Sequence, residues 1–350
     1  MIEALAALPN GSVDTHFFLL SGREGDLADD ARATGAKLYP LPMSWRLPIR
    51  YRRLLTQIRP RVVHSHVQLS SGAFLAVAAW MGVPVRIAHL HSTTDVRTGR
   101  RETWTRRTRR LVLAWMIRRY ATEVIAVGQA VLDANPTIRS NRSTANVFYS
   151  AVTTAGLENL LVDAEDSHSR VVQIGRLDPE KNQLLGVEVF SEVLERGVKA
   201  EFWIVGRPTE GYVDEVEQRV ADLGLGDSVR LCGLRSDVMT FVLPTSAALL
   251  HTSTTEGLPG VLLEALAAGT PVVASDIPPH REVASHLDGI TLVGFDQPVS
   301  AWADALVPLI AAPPTGSERR ARLRAFRASE FALEQHIPRL LALWGPVESN

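Results

Sequence analysis

The chain has 350 residues, 46% hydrophobic and 21% charged, with a formal net charge of −1. That is the composition of a globular protein of about two domains, and it excludes a disordered chain and a basic glove for nucleic acid. Cys232 is the sole cysteine, which excludes an internal disulfide framework and a cysteine-rich metal site and suits a reducing cytoplasm.

Residues 1–8 read as a helix already under way. Short apolar strands are predicted near 13–20, 36–39, 61–65, 85–90, 123–127 and 147–149, separated by helical segments. A second set is predicted near 171–174, 202–205, 229–231, 247–250, 272–274 and 290–293. Runs such as Val171-Val172-Gln173-Ile174 are almost wholly apolar, as expected of parallel strands covered by helices on both faces. Two such sets predict two doubly wound α/β domains with ligand sites beyond the carboxyl ends of the strands. The polar stretch 158–170 is the expected boundary, and 318–344 reads as two helices. The domains are thus expected at 1–165 and 166–325, with 326–350 returning to the first. No apolar run approaches the roughly 18 residues that span a bilayer, and no secretory leader pattern is found.

Gly175-Arg176-Leu177-Asp178-Pro179-Glu180-Lys181-Asn182 follows a predicted strand. Asp178 is a plausible N-cap and Pro179 would take the first helical position. Lys181 would then oppose the helix dipole unless an anion sits there with Arg176. The alternative is a solvent-facing lysine, with Arg176 paired to Asp178 or Glu180.

Farther on, a strand is predicted to end near His251, a loop carries Glu256-Gly257-Leu258-Pro259-Gly260, and a helix runs from about Pro259 to a left-handed stop at Gly269. Every residue of 261–268 except Glu264 is apolar, so this carboxylate lies in a mostly buried helix and requires a partner. Sugar hydroxyls can supply one, because a carboxylate accepts two at once; an arginine is the structural alternative. The N–H groups of Gly260, Val261 and Leu262 would face an anion at the helix start.

Glu256 and Glu264, eight apart, with Gly-Leu-Pro-Gly between them and Glu-Ala-Leu-Ala-Ala-Gly-Thr-Pro following, resemble the signature of glycosyltransferase family four. Residues 175–182 resemble that family's diphosphate loop, and Val205-Gly206-Arg207 and Leu231-Cys232-Gly233-Leu234-Arg235 stand where its next two strand ends fall. The resemblance implies a GT-B fold, two Rossmann-like domains facing a cleft, and a retaining transfer from a UDP- or GDP-sugar. By the same resemblance Arg176 and Lys181 neutralise the donor diphosphate, Glu264 holds the ribose and Glu256 the transferred sugar. The backbone of Gly233, Leu234 and Arg235 lines the base, and Gly206, Gly257, Gly260, Val261 and Leu262 complete the donor contacts. No metal is expected, because two cations and a helix N-terminus can stabilise the leaving group. The family's opening strand and glycine loop have no counterpart here, so either the true start lies upstream of Met1 or the first sheet lacks a central strand.

His64, His66, His89 and His91 all fall at two predicted strand ends. His91 best matches the family's active-site histidine, with His89 as the fallback. Residues 97–119 hold nine arginines, one glutamate, Trp104 and Trp115. This stretch is either a solvated helix face or a patch for an anionic membrane bearing a lipid-linked acceptor. The expected place of work is the cytoplasm or the inner face of that membrane. The expected partners are the donor and a glycan or lipid-linked acceptor, with no nucleic acid, and the product is cell-surface polysaccharide or glycolipid. A nucleotide-sugar epimerase of the same architecture and an inactive nucleotide-sugar-binding protein are the alternatives.

Overall fold

A computed structural model describes residues 2–8, 12–93, 103–138, 145–161 and 168–345. Residues 97–102 of the arginine-rich stretch and 162–167 of the expected boundary lie outside it. The chain divides into two compact units, one of Met1–Tyr149 with Leu333–Asn350 and one of Ser150–Ala332.

The first unit contains α1 (Ile2–Ala6), β1 (His16–Leu19), α2 (Ala28–Ala33), β2 (Lys37–Pro40), α3 (Leu47–Ile58), β3 (Val62–Ser65), α4 (Ser71–Trp80) and β4 (Val85–Leu90). It continues with α5 (Trp104–Tyr120), β5 (Glu123–Ala126), α6 (Gln129–Ala134) and β6 (Ala145–Val147). The second unit follows with β7 (His168–Ile174), α7 (Gln183–Glu195), β8 (Glu201–Val205), α8 (Tyr212–Asp222), β9 (Val229–Gly233) and β10 (Ser246–His251). It ends with α9 (Gly260–Ala267), β11 (Val272–Ser275), α10 (Pro278–Ala284), β12 (Ile290–Val293), α11 (Val299–Ala311) and α12 (Gly316–Ala328). The last helix, α13 (Leu333–Trp344), belongs to the first unit.

Among the described residues the first unit's strands form two separate parallel sheets, β1–β2 and β3–β4–β5–β6. Phe18 of β1 and Val63 of β3 nevertheless pack on one core of Leu41, Tyr51, Leu55 and Ala78. Gly72 lets α4 and α5 touch: a Cβ there would stand 2.5 Å from the Leu113 carbonyl oxygen. The strand expected at 147–149 lies two residues earlier. Phe148 and Tyr149 are buried beyond its end, with the Phe148 ring 4.6 Å from that of His336, so their apolar character comes from core packing and not from the sheet.

The second unit has one six-stranded parallel sheet, in the order β12–β11–β10–β7–β8–β9. Its central strands β10 and β11 are buried at every position, as strands with helices on both faces must be. Phe202, Ile204, Leu250, Val273 and Leu306 share its core. The helix expected to stop at Gly269 does so, with φ of +72° at that glycine. Buried Arg319 of α12 donates to Thr270 Oγ1 at 3.0 Å and to the Ser246 carbonyl at 2.8 Å. These bonds pin α12 beside the α9–β11 turn and satisfy a charge that burial would otherwise penalise.

Candidate functional site

Strand order reverses between β7 and β10: β8 and β9 extend from one, β11 and β12 from the other. Loops leaving the two strands at such a reversal diverge, and a crevice opens beyond their carboxyl ends. The segment after β7 carries residues 175–182, and the segment after β10 carries residues 252–259. Polar contacts tie the two together. The Thr254 N–H donates to the Glu180 carbonyl at 2.8 Å. Thr252 Oγ1 lies 2.8 Å from the Asn182 carbonyl, and Gln173 Nε2 donates to Thr252 Oγ1 at 2.8 Å.

That frame brings Lys181 to Glu256. Lys181 Nζ donates to Glu256 Oε1 at 2.5 Å, and His251 Nε2 lies 3.2 Å from the same oxygen. The Glu256 side chain is only 11% exposed. Burial pushes its carboxyl up, but the hydrogen bonds and charges of His251 and Lys181 outweigh this and hold it at about 2. A lysine and a glutamate 75 residues apart thus form one ionised, nearly enclosed pair at the switch point.

The surroundings differ in part from the sequence expectation. Asp178 is not a helix N-cap. Its Oδ1 accepts from the Lys181 N–H at 3.1 Å and closes a turn, and α7 starts only at Gln183 behind Asn182 in the left-handed conformation. Lys181 therefore stands before the helix and not in its first turn. The turn wins because Asp and Asn side chains readily bond backbone groups two or three residues on. Arg176 is exposed and reaches Asp178 Oδ2 at 3.1 Å, the structural alternative weighed above.

Glu264 is half-buried, one turn into α9. The helix begins at Gly260, with Val261 and Leu262 next, and no side chain caps it; Gly257 lies in the loop just before. Gly206 and Gly233 close the neighbouring strands β8 and β9. A Cβ on Gly206 would stand 1.8 Å from the Gly175 carbonyl oxygen, so only glycine fits where these strand ends meet. Leu234 is exposed, and the Arg235 guanidinium donates from Nε to Asp237 Oδ1 at 2.8 Å.

Two buried histidines behind the Lys181–Glu256 pair were not singled out in the sequence. His251 closes a strand just as His64 and His89 do, so the strand-end pattern applied to the first half would have found it. His280 comes from the start of α10, marked in the sequence only by Pro278-Pro279. It is fully buried, with its ring 5.0 Å from that of His251. Burial pushes it down to about 3.

In the first unit, β3 and β4 pair in parallel with His64 opposite Ile87 and Ser65 opposite Ala88. This register brings the four histidines together. His64 Nε2 meets His89 Nδ1 at 3.1 Å and His66 Nδ1 meets His91 Nε2 at 2.8 Å, and the ring of His64 stacks on His66 as that of His89 does on His91. His66 is exposed, His64 and His91 half-buried and His89 buried. Burial pushes His64, His89 and His91 below the ordinary range, so the cluster is neutral at pH 7.

With this geometry established, comparison with known proteins is informative. Residues 2–136 match the family model described as a glycosyl transferase 4-like domain, and residues 168–312 match the one described as glycosyl transferases group 1. The capsular polysaccharide biosynthesis glycosyltransferase CapH of Staphylococcus aureus is 24% identical over 306 residues, which is 87% of this chain and 84% of CapH. The putative glycosyltransferase EpsF of Bacillus subtilis is 29% identical over 269 residues, 71% of this chain and 66% of EpsF. Among solved structures, Anabaena HepE in complex with UDP and glucose superposes with a TM-score of 0.74 at 18% identity, over 93% of this chain and 90% of HepE.

Proposed function

The chain belongs to the family-four glycosyltransferases of GT-B fold, and we propose that it transfers a sugar, with retention, from a UDP- or GDP-sugar to a glycan or lipid-linked acceptor. The observation that carries this reading is the Lys181–Glu256 pair at the strand-order reversal. Each group is satisfied by the other, and the donor offers each a better partner. The diphosphate takes Lys181 with Arg176 and the N–H groups at the start of α9. The sugar hydroxyls take Glu256, and the ribose takes Glu264. Lys181, Arg176 and the helix N–H groups stabilise the departing diphosphate without a metal, and Lys181 counts most because it is the less screened of the two cations. CapH supports a role in cell-surface polysaccharide synthesis by its capsular assignment, and the HepE complex with UDP and glucose supports a nucleotide-sugar donor.

In the first unit His91, at the end of β4, is the proposed contact to the transferred sugar near the reacting centre. On α5 the exposed side chains of Trp104, Leu111 and Trp115 share a face flanked by arginines. Aromatic and apolar groups among cations suit the interface of an anionic membrane, where a lipid-linked acceptor would be presented. No helix among the described residues is long and apolar enough to cross a membrane.

The test is turnover of UDP- and GDP-sugars, read as donor hydrolysis and transfer. Lys181→Ala is expected to lower kcat/KM by about 10²–10³-fold, the usual effect of deleting one group that stabilises a leaving anion. Wild-type rates in correctly folded Lys181→Ala and Glu264→Gln would overturn the reading. Conversion of the donor sugar without any acceptor would point to an epimerase instead.

A further inference from the structure

Two imidazole clusters stand outside the donor chemistry assigned so far, and their proton positions distinguish them. In the first unit, Trp344 Nε1 donates to His64 Nδ1 at 3.2 Å. An indole only donates, so neutral His64 carries its proton on Nε2 and gives it to His89 Nδ1. His89 then keeps its own proton on Nε2. The two His64 nitrogens and His89 Nδ1 are thus used in one chain of donors, and the atom left over, buried His89 Nε2, points a proton and not a lone pair.

The second cluster is the reverse case. His280 Nδ1 lies 2.7 Å from the Ser275 carbonyl, which only accepts, so the ring proton sits on Nδ1. Nε2 then bears the lone pair, and this atom is buried without a hydrogen-bond partner. An imidazole held by an Nδ1–H bond to a backbone carbonyl is the usual outer-shell arrangement of a metal ligand. His251, Glu256 and His280 each bring one ligating atom within 4.8 Å of the other two. Ligand atoms on a tetrahedral zinc stand about 3.4 Å apart, given bonds of roughly 2.1 Å, so small side-chain rotations close the set. Two imidazoles and a carboxylate are a recognised zinc set with one position left for water.

We propose that His251, Glu256 and His280 form a zinc site whose occupation blocks the donor pocket. Zinc takes Glu256 Oε1 away from Lys181 and places a dication where the transferred sugar would bind. His251 passes its ring proton from Nε2 to Nδ1 and presents the freed lone pair, so no other group need change protonation. Binding of the ion stands on geometry alone; inhibition rests on the assignment of Glu256 to the sugar given above.

The experiment begins with chelator-treated, full-length protein without any nucleotide. Zn²⁺ is titrated by calorimetry, and Co²⁺ is followed by its four-coordinate visible absorption. One equivalent is expected to bind to the wild type. The affinity should fall at least tenfold in His280→Asn, which keeps a donor at the δ position for the Ser275 carbonyl. Thermal unfolding and UDP binding of that variant should match the wild type, and zinc should raise the donor KM of the wild type only. Equal uptake by wild type and variant, or uptake abolished by His64→Gln, overturns the site. Tight uptake with no change in donor KM overturns the inhibition and leaves the site standing. Neither result depends on whether the protein is a transferase, because binding is read without turnover.

Discussion

At the carboxyl ends of β7 and β10 a lysine and a carboxylate touch, both largely buried; at the ends of β3 and β4 four imidazoles lie ring against ring. Both places are strand ends of parallel sheets, yet only the second unit's described strands reverse their order. A reversal parts two loops and leaves room for a ligand, and the charges lining it can be exchanged for a ligand's charges. The histidine cluster sits on adjacent strands of one sheet and fills its own space. The second unit thus holds charges that a ligand's charges could replace, while the first unit offers neutral rings that donate and accept hydrogen bonds.

Acid sharpens the contrast most. His89 and His336 are buried and held down by that burial, His336 to about 4 from an ordinary 6.5. Below pH 6.5 the unfolded chain takes up protons that the folded unit refuses, so stability falls as pH falls. At pH 5 this costs about 2 kcal/mol for His336, and His64 and His89, held down by burial in the same unit, add to the loss. In the second unit His280 behaves so, while the depressed carboxyl of Glu256 keeps its stabilising contribution until pH drops below its ordinary 4.5. Hydrogen exchange at pH 7.5 and pH 5 should therefore show the first unit losing more protection than the second. Equal losses would break the comparison.

The next largest effect runs the other way. Gly206→Ala forces a Cβ into the Gly175 carbonyl and should cost the second unit about 3 kcal/mol or more, with little change in the first. Differential scanning calorimetry with unit-resolved exchange reads it. Smaller still is the surface of α5. Trp104→Ala with Trp115→Ala should weaken binding to vesicles of anionic lipid about tenfold. The same double change should shift stability by less than about 1 kcal/mol, since both rings are exposed.

Strand positions were legible because β10, β11 and the second half of β7 are short, mostly apolar runs of strand length, and the Gly/Pro punctuation between Glu256 and Glu264 marked the loop that precedes α9. The Asp178 turn was misjudged because Asp before Pro serves a turn as well as a helix start, and only the register of Lys181 decides between them. The Lys181–Glu256 contact spans 75 residues, and no local pattern encodes such a distance. His280 was hidden for a different reason: its burial and its Ser275 bond arise from where α10 packs, which nothing in Pro-Pro-His-Arg foretells.

The account stands most directly on how the second unit divides the donor between two side chains. Calorimetric titration of UDP and of UDP-sugar, or the GDP forms, into wild type, Lys181→Ala and Glu256→Gln measures that division. Lys181→Ala should weaken the nucleotide and the nucleotide-sugar alike. Glu256→Gln should weaken only the nucleotide-sugar, by about tenfold, the worth of hydrogen bonds to a charged group. Unchanged affinities in both variants, or equal loss of both ligands in Glu256→Gln, would contradict it.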